Sequence, residues 1–170
     1  QFGWKVLGAV LKQTGRVINS LTALQKSVKL APQDAEAHSN LGITLQELGR
    51  LDEAEASCRQ AIALKPNYAE AHSNLGITLQ ELGRLEEAEA GYRQAIALKP
   101  DYAEAYNNLG ARLKELGRLE EAEASYRQAI ALKPDYAEAH SNLGNTLTLH
   151  ALGRLGEAIE AYIQALKINP

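Results

Sequence analysis

One period governs this chain, a block of 34 residues that recurs along its whole length. Residues Ala35 to Tyr68 and Ala69 to Tyr102 differ only at Asp52/Glu86, Ser57/Gly91, Cys58/Tyr92 and Asn67/Asp101, so 30 of 34 places are identical. A fixed period of this size predicts a stacked array, in which no unit buries its apolar face alone and neighbours complete the core. Extending the pair in both directions gives repeats at 1–34, 35–68, 69–102, 103–136 and 137–170, the first divergent and the last interrupted. Residues 1–170 are therefore expected to form a single array.

Each repeat reads as two amphipathic helices. Leu41, Leu45 and Leu48 recur at helical spacing before Gly49, and Leu51, Ala54, Cys58, Ala61, Ile62 and Leu64 recur before Pro66. Gly15, Gly49, Gly83, Gly117 and Gly153 supply the left-handed residue that ends a first helix, and the proline closing each repeat prevents the second from continuing. Asp101 with Glu104, and Asp135 with Glu138, have capping-box spacing for the next helix. Small residues at Gly8, Gly42, Gly76, Gly110 and Gly144, with Ala54, Ala88, Ala122 and Ala158, allow two helices to approach closely. Glu55/Arg59, Glu89/Arg93 and Glu123/Arg127 stand four apart in the favourable order and mark a solvated outer face.

The pattern Trp4, Leu7, Gly8, Leu11, Gly15, Leu21, Leu24 and Pro32, repeated as Leu41, Gly42, Leu45, Gly49, Ala54, Ala61 and Pro66, resembles the tetratricopeptide repeat over the whole chain. The resemblance implies an all-α, right-handed superhelical solenoid of antiparallel helix pairs, with first helices lining a concave groove and second helices outside. In the last repeat Gly144 and Gly153 are nine residues apart where Gly42 and Gly49 are seven apart, a two-residue insertion. At about 100° per residue it turns the rest of the helix by about 200°, so a bulge or longer turn is expected near Thr148 to Ala151, reorienting Leu149 and His150. The chain closes at Pro170 without a polar capping helix, which predicts end-to-end association of copies or continuation in a longer protein.

Within the implied groove, Asn40, Asn74, Asn108 and Asn142 recur every 34 residues and would stack as a ladder. An asparagine amide offers donor and acceptor together, matching the amide group of an extended peptide whatever its sequence. The arrangement is similar to the asparagine ladder of O-linked N-acetylglucosamine transferases, which by resemblance assigns a peptide-clamping role; the alternative is that each amide bonds a neighbouring helix. Four asparagines making two bonds each at about 1 kcal/mol give about 8 kcal/mol before association costs, a weak grip that leaves specificity to neighbouring side chains. Those neighbours vary most in the fourth repeat, through His72/Tyr106, Ser73/Asn107, Ile77/Ala111, Thr78/Arg112 and Gln80/Lys114. Asn107, Asn108, Arg112 and Lys114 are thereby expected to form a polar, basic patch for an acidic ligand segment. Chaperone-binding members of the family hold a C-terminal carboxylate in a basic clamp. Here Lys5 and Asn40 fit two of its places, but Ala9, Glu70 and Asn74 fill the others, so that ligand class is not expected.

Composition narrows the function classes further. With 18 basic against 21 acidic side chains the net charge is −3, without the positive surplus that phosphate contacts demand, so nucleic acid is not the expected partner. No apolar run reaches the roughly 18 residues of a membrane span. Cys58 is the single cysteine, which favours a reducing, cytoplasmic setting, while the start at Gln1 and the absence of Met are compatible with an upstream signal or domain. His38, His72 and His140 fall at equivalent places in separate repeats, which suits packing rather than a shared metal. Cys58 stands where Tyr92, Tyr126 and Tyr162 stand elsewhere, and reads as a core substitution rather than a nucleophile. No phosphate loop, metal motif or catalytic constellation is present, so no cofactor or reaction is expected. The chain is read as a non-catalytic scaffold for a protein or extended peptide. The alternatives are a substrate-recruiting arm of a larger transferase and a self-assembling structural module.

Overall fold

The computed structural model describes residues 2–150 and 155–169, the side chains of Phe2 and His150 excepted. The described residues form ten helices in two compact units. The unit Gln1–Leu98 contains α1 (Phe2–Gln13), α2 (Val17–Leu30), α3 (Ala35–Glu47), α4 (Leu51–Leu64), α5 (Ala69–Glu81) and α6 (Leu85–Leu98). The unit Lys99–Pro170 contains α7 (Ala103–Glu115), α8 (Leu119–Leu132), α9 (Ala137–His150) and α10 (Leu155–Ile168). In each unit consecutive helices pair and every first helix also touches the first helix of the next repeat. The second helices are held apart: a cavity of about 550 Å³ opens between α4 and α6 over Leu75 and Leu79 of α5, and one of about 600 Å³ opens between α8 and α10 over Leu143 and Leu147 of α9. Close packing of the first helices with splayed second helices makes the first-helix face of each unit its inner one.

The glycine stops form as the sequence predicts. Gly15, Gly49, Gly83 and Gly117 have φ of 73°, 70°, 74° and 73°, a region that a side chain disfavours. The following residue bonds back across the turn, as in Arg50 N to Leu45 O at 2.9 Å and Arg118 N to Leu113 O at 2.9 Å. Gly153 lies outside the described residues. The capping boxes do not form. Tyr102 occupies the cap of α7, and Asp101 stands one residue outside it, its backbone carbonyl accepting from Ala103 N at 3.1 Å. Asp135 likewise offers its carbonyl to Ala137 N at 3.1 Å. Asp34, directly before α3, does cap, its carboxylate accepting from Ala37 N at 3.0 Å. In the later repeats a tyrosine takes the place of Asp34, and Asp101 and Asp135 stand at the place of Gln33, one residue too early to cap.

Each repeat is closed by a contact between a glycine and a large or soft side chain. Gly76 faces the ring of Tyr92, Gly110 that of Tyr126, Gly144 that of Tyr162, and Gly42 the sulfur of Cys58. Ala54, Ala88, Ala122 and Ala158 are fully enclosed beside them, and Leu24, Leu41 and Leu45 join Ala54 in the first unit's core. On the outer edge the expected pairs form, Glu55–Arg59 at 2.8 Å, Glu89–Arg93 at 2.9 Å and Glu123–Arg127 at 2.9 Å. The same charges also tie repeats together: Arg84 reaches Glu55 at 2.8 Å, and Arg127 reaches Glu157 at 2.9 Å. Although partial burial works against ionisation, Arg59 and Arg84 hold the Glu55 carboxyl below its ordinary value. The insertion in the last repeat lengthens the first helix: α9 has 14 residues where α7 has 13, with no bulge through His150 among the described residues. Leu149 is 66% exposed, and residues 151–154 lie outside the described set.

Candidate functional site

On the inner face of each unit the ladder asparagines are half-buried, Asn40 and Asn74 in the first unit and Asn108 and Asn142 in the second. Asn74 Nδ2 donates to Ser39 Oγ at 3.1 Å, and Asn142 Nδ2 donates to Asn107 Oδ1 at 3.1 Å. Each of these amides is thus anchored to the preceding first helix by one N–H. An amide has two N–H groups and an oxygen with two lone pairs, so this bond fixes the plane of the group and leaves donor and acceptor capacity in hand. The peptide-binding reading and the neighbour-bonding alternative are compatible at these two positions.

The fourth repeat, residues 103–136, differs from its expectation. Asn107 and Arg112 are each 1% exposed, so they do not lie on a ligand-facing surface. Asn107 accepts from Asn142 and donates through Nδ2 to Glu138 Oε1 at 3.1 Å. Arg112 takes the place of Thr44, Thr78 and Thr146, which are similarly enclosed and donate to the carbonyls of Asn40, Asn74 and Asn142. Its guanidinium reaches Glu115 at 3.3 Å. Among the residues of the expected basic patch, Lys114 and Asn108 are the half-buried ones.

A polar seam between repeats accompanies the ladder. Lys5 bridges Asp34 at 3.1 Å and Glu36 at 2.8 Å, Lys12 bridges Glu47 at 3.1 Å, and Gln46 donates to Glu81. Lys5 is thereby committed to structural carboxylates. The sequence signal for this seam is complementary residue types at a separation of 31, as in Lys5 and Glu36, or of 35, as in Lys12 and Glu47, one period shifted by a few residues.

In the fourth repeat the tyrosine hydroxyl also lacks the acceptor that it has, in different residues, in the repeats on either side. Tyr92 Oη donates to Gln80 Oε1 at 3.0 Å and Tyr162 Oη donates to Asn145 Oδ1 at 2.8 Å. At the equivalent of Gln80 stands Lys114, a donor only, and the enclosed Tyr126 hydroxyl finds no acceptor among the described residues. Burial, with Glu115 and Glu138 nearby, pushes that phenol well above its ordinary value. Tyr126→Phe is therefore expected to raise stability by about 1 kcal/mol, since it removes a buried polar atom without a bond to lose. Thermal denaturation checks this, and a variant less stable than the parent would show that the hydroxyl is satisfied.

The remaining chemistry-bearing residues are occupied structurally. His38, His72 and His140 place Nε2 3.0, 2.9 and 3.0 Å from the carbonyls of Pro32, Pro66 and Pro134, fastening each first helix to the end of the preceding repeat. Cys58 is fully enclosed, and burial pushes its thiol up to about 12. Among the described residues no group of three or more His, Cys, Asp or Glu is arranged to hold a metal, and no helix is long and apolar enough to cross a membrane.

Family models described as tetratricopeptide repeat match residues 33–101, 92–124 and 137–170, and one described as TPR repeat matches 110–149. A comparison with curated protein sequences found no match. Among solved structures, TTC0263, a thermophilic TPR protein in Thermus thermophilus, is 31% identical, with 99% of this chain and 91% of that one covered and a TM-score of 0.83. MamA is 27% identical, with 95% and 93% covered and a TM-score of 0.78. YrrB, at 22% identity and a TM-score of 0.71 over 98% of this chain and 85% of that one, shares the fold.

Proposed function

The chain belongs to the tetratricopeptide repeat family, and on that premise we propose that it is a non-catalytic scaffold holding an extended peptide against the inner faces of its first helices. The proposal takes residues 1–170 as one array, with Asn40, Asn74, Asn108 and Asn142 as the backbone-reading residues. The observation that carries it is the anchoring of Asn74 and Asn142 through a single N–H each. An amide whose plane is already fixed loses less conformational entropy when a ligand arrives, which favours binding without adding contacts. Lys114, on the same helix as Asn108, adds a positive group for an acidic ligand side chain. A cytoplasmic setting belongs to the same proposal.

The test starts from a peptide recovered with the intact chain by cross-linking and mass spectrometry. Asn74→Ala and Asn142→Ala each remove at least one peptide hydrogen bond of about 1 kcal/mol net, so together they should weaken affinity by about 2 kcal/mol, close to thirtyfold. Calorimetric titration reads the change. Unaltered affinity in the double variant, with helical content preserved, would remove the ladder from the binding account.

A further inference from the structure

The last helix breaks the charge pattern that α4, α6 and α8 carry on one edge. Ile159 and Ile163 stand where Glu123 and Arg127 form their pair in the preceding repeat. In internal repeats that edge looks toward the following repeat, as Arg84 on Glu55 and Arg127 on Glu157 demonstrate. On α10 the edge is an apolar stripe, with Leu155, Ile159, Ile163 and Leu166 exposed by 61%, 49%, 44% and 63%. The spacing of four, four and three keeps all of them on one helix face.

The flanking charges identify an occupant. Glu160 and Lys167 lie seven residues apart, two helical turns, on the same side of the stripe, and both are exposed. If a second α10 lay parallel on the stripe, nothing would match these two charges. If it lay antiparallel about a two-fold axis, each Glu160 would approach Lys167 of the second copy, and the match would occur twice. We propose that this face of α10 pairs with the same face of a second copy of the chain, giving a closed, tail-to-tail dimer. The interface is isologous, so it terminates at two chains instead of growing into a filament.

The experiment is sedimentation of the full chain over a wide concentration range, with circular dichroism verifying that each variant keeps its helices. The parent is expected to pass from monomer to dimer and no further. Glu160→Lys and Lys167→Glu each bring like charges together and should raise the dissociation constant at least about tenfold, while the double swap restores pairing because the charges again oppose. Ile163→Glu should leave a monomer. A parent that stays monomeric throughout, that grows into open polymers, or whose single charge reversals dimerise as well as it does would overturn the proposal, and so would a double swap that fails to recover.

Discussion

Tyr92→Ala is expected to destabilise the fold by about 3 to 5 kcal/mol, the range for deleting a buried aromatic ring. The ring is 1% exposed and rests against Gly76, where an added Cβ would sit only 2.7 Å from Cε1. Nothing on Gly76 can move into the void, because a glycine has no side chain to repack. The enclosed Ala88 and Ala95 on the same helix are equally short. The loss therefore combines the transfer term with a cavity that persists, and it also leaves Gln80 without its phenol donor. Tyr92→Phe separates the two parts, since it keeps the ring and gives up only a bond of about 1 kcal/mol. Denaturant unfolding measures both variants, and a Tyr92→Ala cost below about 1 kcal/mol would mean that the helices close over the gap.

The same packing explains which features the sequence made legible. A glycine at a helix end has one local conformational reason to be there, so Gly49, Gly83 and Gly117 could be placed without knowing any neighbour. The i, i+4 pairs such as Glu89 and Arg93 are equally local. Asn107 and Arg112 were legible as different but not as buried. Their exposure depends on how closely the adjacent first helix packs, and helical periodicity within one repeat carries no record of that. Asp101 was misread for a smaller reason: the cap is decided by a single position, and Tyr102 holds it. The asparagines fall between these cases. Their alignment follows from the period, whereas the anchoring of Asn74 on Ser39 depends on an offset of 35 that appears only when repeats stack.

These distinctions bear on function because inner and outer surfaces are held by different means. The inner seam combines short side chains at fixed offsets, such as Ser39 with Asn74, with the Lys5 and Lys12 bridges to Glu36 and Glu47. The outer edge is made of long arginine–glutamate pairs, half-exposed and individually worth little. Substitutions on the outer edge should therefore leave the inner face in register, while substitutions where first and second helices touch should not. The glycine contacts lie at that junction.

Gly42→Ala tests the junction in the repeat where its partner is smallest. The added methyl would lie 2.6 Å from Cys58 Sγ and 3.3 Å from the carbonyl oxygen of Ala54, so α3 must lift from α4 or the sulfur must turn away within an enclosed site. Overpacking of this kind costs about 1 to 3 kcal/mol. Cys58→Ala alone should cost less, since it removes one sulfur atom and leaves a small void. Combining the two puts the new methyl into the space vacated by the sulfur, so the double variant should be more stable than the sum of the single costs predicts, by about 1 kcal/mol or more. Denaturant unfolding of the four proteins gives the coupling directly. Strict additivity would mean that the backbone of Ala54, and not the sulfur, sets the distance between α3 and α4, and hence how α3 is seated.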